Sequence, residues 1–227
     1  NQSAEIYQVV VGGHKFLDWA THTKLFNVSK IILHPNYTQE EDLTGDIALV
    51  KLPSPLIFTD YVRPVCLPDS SVKFPQDANC SITGWGAIQE KVDLPEPLTL
   101  QELKVPLINQ SFCNILYNTG GNDSMGKDPI KHDMICAGYV EGKKDSCKGD
   151  SGGPLVCKLH EFWIQAGVQS WGHGCARASY PGVYASTTFY AKWIDETLAA
   201  NSGRQNGRWP STFMVTLFWL SSAAVLH

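Results

Sequence analysis

The chain has 227 residues, of which 43% are hydrophobic and seven are tryptophan, and this composition predicts a folded globular protein. Its formal net charge of −4, with no basic run longer than a pair, argues against binding to nucleic acid. The seven cysteines predict disulfides and an oxidising compartment, and the lack of a Cys-x-x-Cys pair gives little support to a metal site. We therefore expect a secretory-pathway protein with no metal and no cofactor.

Short apolar, β-branched runs recur along the chain and are separated by Gly, Pro, Asn and Asp. This pattern predicts an all-β sandwich or barrel. In chain order, the predicted strands are 6–11, 28–33, 47–52, 80–85, 100–107, 154–157, 163–171 and 181–185. Apolar residues at helical spacing predict a helix over 188–200, and 110–117 is a second, shorter candidate. The Pro-containing stretch 60–77 is a plausible connection between two lobes.

The last segment differs in composition from the rest of the chain. Residues 201–208 are polar, whereas 209–226 are apolar and uncharged. A polar spacer before a terminal hydrophobic tail is typical of a GPI-attachment signal, and the attachment residue would be Asn201, Ser202 or Gly203. A transmembrane anchor and a tail that does not anchor remain alternatives.

Asn-x-Ser/Thr sequons also favour secretion, and the chain carries them at Asn1, Asn27, Asn36, Asn79, Asn109 and Asn122. We expect glycosylation at four of these positions, which are Asn27, Asn36, Asn109 and Asn122. Asn79 precedes Cys80 in a predicted strand, so we expect it to be too buried for modification.

The most informative segment is Asp145-Ser-Cys-Lys-Gly-Asp-Ser-Gly-Gly-Pro154. Glycines on both sides of Ser151 let the backbone approach a substrate and adopt angles that a Cβ would forbid. Such a serine can expose its hydroxyl as a nucleophile, while neighbouring amides meet a developing negative charge. The simpler interpretation of a Gly-Asp-Ser-Gly sequence is a polar, glycine-rich turn.

These ten residues resemble the nucleophile loop of the trypsin-like (chymotrypsin-fold) serine proteases. Other sequence motifs of that family occur, in the order typical of the family, along residues 9–200. They are Asp46-Ile-Ala-Leu-Val-Lys-Leu52, Arg63-Pro-Val-Cys-Leu-Pro68, Thr83-Gly-Trp-Gly86, Met134-Ile-Cys-Ala-Gly138, Ser170-Trp-Gly172 and Tyr180-Pro-Gly-Val-Tyr184. The tail is similar to that of the GPI-anchored and other membrane-tethered members of the family.

The resemblance implies an all-β fold of two six-stranded antiparallel β-barrels, the first of them truncated, with a C-terminal helix. The implied boundaries are 1–60 for the partial first barrel, 61–78 for the interlobe connection, 79–187 for the second barrel, 188–200 for the helix and 201–227 for the spacer and hydrophobic tail.

The resemblance also implies residue roles in a Ser-His-Asp mechanism. Ser151 would be the nucleophile, and Asp46 would orient the histidine. The amides of Gly149 and Ser151 would form the oxyanion hole. Asp150 would form the ion pair with the new amino terminus after zymogen cleavage.

A specificity pocket is implied as well. Asp145 would lie at its base, with Ser170, Gly172 and Gly182 as substrate-binding neighbours. A buried carboxylate is costly unless a cation meets it, so such a pocket favours Arg or Lys side chains. The simpler interpretation of Asp145 is an acid in a surface loop.

The family pattern pairs six of the seven cysteines, as Cys80–Cys157, Cys113–Cys136 and Cys147–Cys175. Cys66 is left unpaired. In many relatives the corresponding cysteine is bonded to a propeptide that lies upstream, so we attribute the odd cysteine to sequence that is not in this chain.

The family's Thr-Ala-Ala-His-Cys segment, which carries the catalytic histidine, has no counterpart in the sequence. Val9-Val-Val-Gly-Gly13 resembles the start of an activated protease, but no Arg or Lys precedes it, and the residues after it fit strands beyond the histidine. None of the seven histidines has the expected context. Since the chain starts at Asn1 rather than Met, we expect a processed or incomplete chain with the histidine upstream.

Three functions remain open. The gene product is a serine endopeptidase that cleaves after Arg or Lys through an acyl-enzyme, or a shorter non-catalytic isoform that acts as a binding or decoy module, or a pseudoprotease. In each case we expect this chain by itself to be inactive. The implied partners are protein or peptide substrates, protease inhibitors and, through the tail, a membrane. The implied location is the extracellular face of the plasma membrane or the extracellular medium.

Overall fold

A computed structural model describes residues 4–37, 43–76, 78–119, 128–201 and the backbone of 213–216. The sequons at Asn1 and Asn122 and most of the hydrophobic tail therefore lie outside the described residues. A single 3₁₀ turn, Ala4–Ile6, precedes the first strand.

The second lobe is a closed antiparallel barrel of six strands in the order β10-β7-β6-β5-β8-β9. Its strands are β5 Asn79–Gly84, β6 Gln101–Ile108, β7 Met134–Ala137, β8 Pro154–Leu159, β9 Phe162–Trp171 and β10 Gly182–Ser186. The predicted all-β class and the predicted six-stranded second barrel are confirmed. Strand β7 coincides with the family motif at 134–138, but hydrophobic alternation does not predict it as a strand, because four residues are too short to display the pattern.

The core of this barrel is made of alternate strand residues that turn inward. Val105, Leu155, Ala166 and Tyr184 are almost completely buried. Full burial of a large apolar side chain contributes roughly 1.5–3 kcal/mol. The barrel therefore gives a rigid base to the long loop between β7 and β8, which contains the Asp145–Pro154 segment.

The first lobe contains two separate sheets within the described residues. One is an antiparallel pair and the other has three strands in the order β11-β4-β3. The strands are β1 Gln8–Val11, β2 Lys24–Asn27, β3 Lys30–Leu33, β4 Ala48–Lys51 and β11 Phe213–Thr216. The described part of this lobe does not form a closed barrel, in agreement with the predicted truncation.

Two strands of the first lobe were not predicted. Strand β2 is largely exposed, so it lacks the apolar alternation of a half-buried strand. Strand β11 lies in the stretch whose composition indicates a membrane tail. Within the described ranges, the chain has no helix whose length and apolar character would suffice to span a membrane.

Both predicted helices are present, as α1 Gln110–Thr119 and α2 Thr187–Asn201. The Asn109 side chain caps α1, because its Oδ1 accepts hydrogen bonds from the Ser111 and Phe112 amides at 3.0 and 3.3 Å. Ile194 and Leu198 of α2 pack against first-lobe and second-lobe residues in one core cluster. Helix α2 therefore fastens the two lobes together.

Three of the predicted glycosylation sites, Asn27, Asn36 and Asn109, are exposed. The expectation that Asn79 is buried was wrong. Asn79 begins β5 and is exposed, because alternate residues of a strand face opposite sides and its neighbour Cys80 points into the core.

Candidate active site

The Asp46 carboxyl lies between the two lobes and is only 3% exposed. The Ser170 hydroxyl of β9 donates a hydrogen bond to Asp46 Oδ2 at 2.6 Å. Asp46 Oδ1 is buried without a hydrogen-bond partner among the described residues. Burial raises the pKa of Asp46 to about 6; the Ser170 hydrogen bond opposes this shift and the nearby Asp133 charge adds to it.

The turn before Asp46 is fixed by residues that the sequence analysis missed. The Gly45 amide donates to Tyr190 Oη at 2.9 Å and to Asp133 Oδ2 at 3.2 Å, and the Tyr190 hydroxyl donates to the same Asp133 oxygen. Gly45 has a φ of +72°, and a Cβ there would lie 2.8 Å from the Asn36 carbonyl carbon, so this position requires glycine. No local pattern relates Asp133 to Gly45, because 88 residues separate them.

Ser151 lies in an exposed turn at the end of the β7–β8 loop. The neighbouring Gly149 has a φ of +98°, a conformation that favours glycine. The N–H groups of Gly149 and Ser151 donate to no acceptor within the described part of the chain. The loop therefore presents a hydroxyl and two free amide donors on the same surface turn.

The backbone of β9 connects Ser151 to Asp46. The Gly152 amide donates to the Gln169 carbonyl at 3.0 Å, and the Gln169 amide donates to the Gly153 carbonyl at 2.9 Å. Gln169 is adjacent to Ser170, which holds Asp46. The structure thus brings the predicted nucleophile and the predicted acid to the two ends of one short hydrogen-bonded path.

The Asp150 carboxylate points away from this path and into the second lobe. It accepts hydrogen bonds from the Gly86 and Cys147 amides, both at 2.9 Å. A Cβ on Gly84 would lie 1.9 Å from Asp150 Oδ1, so these glycines leave the space that the carboxylate occupies. Burial raises the pKa of Asp150, and the two backbone hydrogen bonds act in the opposite direction.

Asp145 is also held by backbone donors. The Ser146 amide donates to its Oδ1 at 2.8 Å and the Ala176 amide to its Oδ2 at 3.4 Å. Burial raises the pKa of Asp145 to about 6 against the effect of these hydrogen bonds. A Cβ on Gly182 would lie 3.0 Å from Asp145 Oδ1, so Gly182 lies beside this carboxylate.

Asp145 and Asp150 line a cavity of about 620 Å³. Three of the predicted substrate-binding residues, Ser170, Gly172 and Gly182, are not part of its lining. Ser170 contacts Asp46 instead, and Gly172 is exposed on the β9–β10 loop. The cavity is therefore lined by the Asp145 and Asp150 carboxylates but not by these three neighbours.

Several buried polar groups around Asp145 were not predicted. The Ser146 hydroxyl donates to Gln169 Oε1 at 2.7 Å, which connects the Asp145 segment to β9. Tyr117 and Tyr184 are almost fully buried, and burial, with a smaller contribution from the Asp145 charge, raises the pKa of both phenols. In the sequence, only the position of Ser146 within the Asp145–Pro154 motif could have indicated the contact with Gln169.

Three disulfides form, as Cys80–Cys157, Cys113–Cys136 and Cys147–Cys175. Cys147–Cys175 ties the β7–β8 loop to the β9–β10 loop, and so holds Asp145 and Ala176 near each other. Cys66 is exposed and free.

The described histidines lie against aromatic rings or in loops. His22 stacks on Tyr61 at 3.6 Å, and the His34 ring meets Tyr190 edge-on at 4.9 Å. Burial lowers the pKa of His34, and the Asp133 charge opposes the shift. No histidine of the described segments donates to Asp46 Oδ1.

The raised pKa of Asp145 predicts a pH-dependent stability. Between its ordinary value of 3.8 and about 6, the folded chain binds this proton more tightly than the unfolded chain does. The free energy of unfolding should therefore fall as the pH rises through this window. Asp145→Asn should raise it at pH 8 by on the order of 1–3 kcal/mol and weaken the pH dependence, as measured by urea unfolding.

The control for this prediction is Asp93→Asn, which changes an exposed acid and should leave the pH dependence unaltered. The remaining pH dependence of Asp145→Asn includes Asp46, whose pKa is also raised to about 6, and Asp150, whose pKa burial also raises. A variant Asp145→Asn that is less stable than the parent at pH 8 would contradict the argument.

Comparisons with known proteins agree with this geometry. The trypsin family model matches residues 1–194. Tryptase of Mus musculus is 47% identical over 173 residues, which are 76% of this chain and 62% of that protein. Testisin of Homo sapiens is 44% identical over 202 residues, which are 88% of this chain and 62% of that protein. The chain thus spans 62% of the length of each of these relatives, and it belongs to the trypsin family of serine proteases.

Proposed function

We propose that this chain carries the nucleophilic serine, the oxyanion-hole amides, the catalytic aspartate and the specificity pocket of an endopeptidase. The enzyme would cleave after Arg or Lys through an acyl-enzyme. The observation that carries the proposal is the path from the buried Asp46, through Ser170 and Gln169, to the exposed Ser151 with its two free amide donors. A polar turn with no catalytic role has no need of a buried carboxylate at the other end of this path.

In the proposed reaction, Ser151 Oγ attacks the scissile carbonyl carbon. The carbonyl oxygen becomes an anion and accepts hydrogen bonds from the Gly149 and Ser151 amides, each worth roughly 10²- to 10³-fold in rate. The imidazole that Asp46 would orient, supplied by a segment upstream of this chain, takes the Ser151 Oγ proton and gives it to the leaving nitrogen as the C–N bond breaks. Water then attacks the acyl ester, the acid is released and Ser151 Oγ regains its proton. Asp46 Oδ1 is the acceptor that an imidazole N–H would use, since Ser170 already occupies Oδ2.

The proposed preference for Arg and Lys rests on Asp145. Its carboxyl is held by neutral amides and has no cationic partner within the described residues. Such a carboxylate becomes favourable when a substrate guanidinium or ammonium enters and neutralises it. Gly182 supports this role, because a side chain at that position would fill the space beside the carboxylate.

We further propose that Asp150 is the acceptor for an amino terminus released by zymogen cleavage. The Asp150 carboxylate lines the cavity of about 620 Å³, where a cation can reach it. Its hydrogen bonds to Gly86 and Cys147 lie beside Gly149, so an ion pair at Asp150 would act on the oxyanion loop. The cavity thereby couples activation to catalysis.

The proposed location is the secretory pathway and the extracellular space, with the hydrophobic tail as a GPI signal or membrane anchor. The three disulfides support an oxidising compartment. The exposed sequons Asn27, Asn36 and Asn109 are accessible for glycosylation. Protein substrates with Arg or Lys at the cleavage site and protease inhibitors are the proposed partners.

A second candidate function is favoured by one observation. Since no described histidine meets Asp46, this chain as it stands would act as a binding or decoy module that recognises basic side chains without cleaving after them. The loss of one triad member lowers the rate by around 10⁴- to 10⁶-fold.

We expect the purified 227-residue chain to hydrolyse an Arg ester no faster than its Ser151→Ala variant, because no positioned base activates the serine. The measurement is initial ester hydrolysis at pH 8 for both proteins. Hydrolysis by the parent that disappears in Ser151→Ala would show that a histidine of this chain acts as the base.

The specificity test uses this chain extended by an upstream segment that supplies the histidine. Asp145→Ser should lower kcat/KM for an Arg amide by roughly 10²- to 10⁴-fold, because the substrate cation loses its buried partner. The control is Glu141→Ser, which removes an exposed acid of the same loop and should leave kcat/KM unchanged. If Asp145→Ser retained the preference for Arg, the pocket assignment would fail.

A further inference from the structure

One face of helix α1 fixes the helix to the second barrel. Cys113 is bonded to Cys136 of β7, and Tyr117 is 1% exposed. The Asn114 side chain donates to the Ile130 carbonyl at 3.0 Å and accepts from the Ile130 amide at 2.9 Å. These contacts set the rotation of α1 about its axis, and so decide which of its residues face outward.

The outward face of α1 carries two adjacent apolar side chains. Phe112 and Ile115 are 46% and 55% exposed. They are three residues apart, so they are neighbours on the helix surface. None of the residues of α1 is charged, so no charged side chain of the helix shields this pair from water. An adjacent exposed pair, unlike a single apolar side chain, indicates that another group covers the face.

Asn109 lies at the amino end of this outward face. Its carbonyl accepts a hydrogen bond from the Cys113 amide at 2.8 Å, so Asn109 is the N-cap of α1. The Phe112 amide lies 3.3 Å from Asn109 Oδ1. Side chains of an α-helix lean toward its N-terminus, so Phe112 leans toward Asn109 and Ile115 leans toward Phe112. The outward face therefore begins at the Asn109 side chain.

The cap occupies only one atom of the Asn109 side-chain amide. Oδ1 accepts the hydrogen bonds from the Ser111 and Phe112 amides, whereas Nδ2 donates to no acceptor within the described ranges. An N-linked glycan is attached through this nitrogen, and Ser111 completes the Asn-Gln-Ser sequon. Capping and glycosylation thus use different atoms, and the cap holds Nδ2 beside Phe112.

We propose that an N-linked glycan on Asn109 lies along α1 and covers Phe112 and Ile115. Its first N-acetylglucosamine packs on the Phe112 ring, because one face of a pyranose ring presents mainly C–H groups and the face of an aromatic ring carries the negative charge density that attracts them. The sugars beyond it extend over Ile115 and present hydroxyl groups to water. The glycan thereby supplies the polar surface that the outward face of α1 lacks.

The covalent step uses an oligosaccharide carried on a lipid diphosphate. Asn109 Nδ2 forms a bond to the anomeric carbon of the first sugar and loses a proton, while the diphosphate leaves with the electron pair of the broken C–O bond. The inference rests on the proposed secretory location and is independent of the proposed catalysis.

Occupancy of the site is the first measurement. The full protein, secreted from cultured animal cells, should carry a glycan at Asn109, as determined by mass spectrometry of its peptides. A bare Asn109 beside an occupied Asn27 or Asn36 would overturn the inference and leave the secretory location intact. If all three asparagines are bare, the inference and the proposed location fail together.

A double-mutant cycle on thermal unfolding tests the packing. Ser111→Ala removes the sequon but keeps the cap, because the cap uses the backbone amide of residue 111. It should lower the Tm of the parent by about 2–4 °C, and should lower it much less in a Phe112→Ser background, where the ring that the sugar covers is absent. An equal fall in both backgrounds would overturn the proposal.

Asn109→Asp is a second route to the same test, since aspartate also caps a helix but carries no glycan. Its effect should show the same dependence on Phe112. Asn36→Gln is the matched control, because it removes a glycan from an exposed sequon outside α1. Its effect on the Tm should be the same with and without the Phe112 ring. If Asn36→Gln depended on Phe112 as strongly as Ser111→Ala does, the coupling would not be local and the proposal would fail.

A second copy of the chain is the alternative occupant of the outward face. Sedimentation equilibrium of the glycosylated parent should give the mass of a monomer. A dimer that dissociates in the Phe112→Ser variant would assign the face to self-association and so overturn the proposal.

Discussion

The hydrogen bond from Ser170 to Asp46 joins the two lobes at the point on which the candidate site depends. Ser170 belongs to the closed barrel, and Asp46 belongs to the turn before β4 of the first lobe. Helix α2 stabilises this junction, because it packs against residues of both lobes. The loop that carries Ser151 pairs with β9, and β9 also carries Ser170, so the contact between Ser170 and Asp46 sets the position of Ser151 relative to Asp46. A change in the contact between the two lobes would therefore separate Ser151 from Asp46.

Asp46, Asp145 and Asp150 share one physical constraint. Each is largely buried, each has a raised pKa caused first by burial, and each is held by neutral donors within the described residues. Buried carboxylates of this kind weaken the fold, since they are ionised without a compensating cation. In the proposed function, Asp145 and Asp150 each receive a cation, which would explain why a protein retains these carboxylates at a cost in stability.

The sheets of the two lobes close to different degrees within the described residues. The closed barrel of the second lobe gives each of its strands two neighbours, whereas the described strands of the first lobe include a separate pair and a three-stranded sheet. Strand β4 is the central strand of that sheet, and its outer neighbour comes from the C-terminal segment.

The sequence by itself determined the family, the strand-rich class, both helices and the loop that presents Ser151, since these are expressed in local motifs and periodicity. It also placed Asp145 and Asp46 in motifs of the family. The tertiary structure alone decided that Asp133 and Tyr190 fix the turn before Asp46 and that β11 pairs with β4. These contacts join residues far apart in the chain, and a local pattern carries no information about which distant group will satisfy a buried donor or a strand edge.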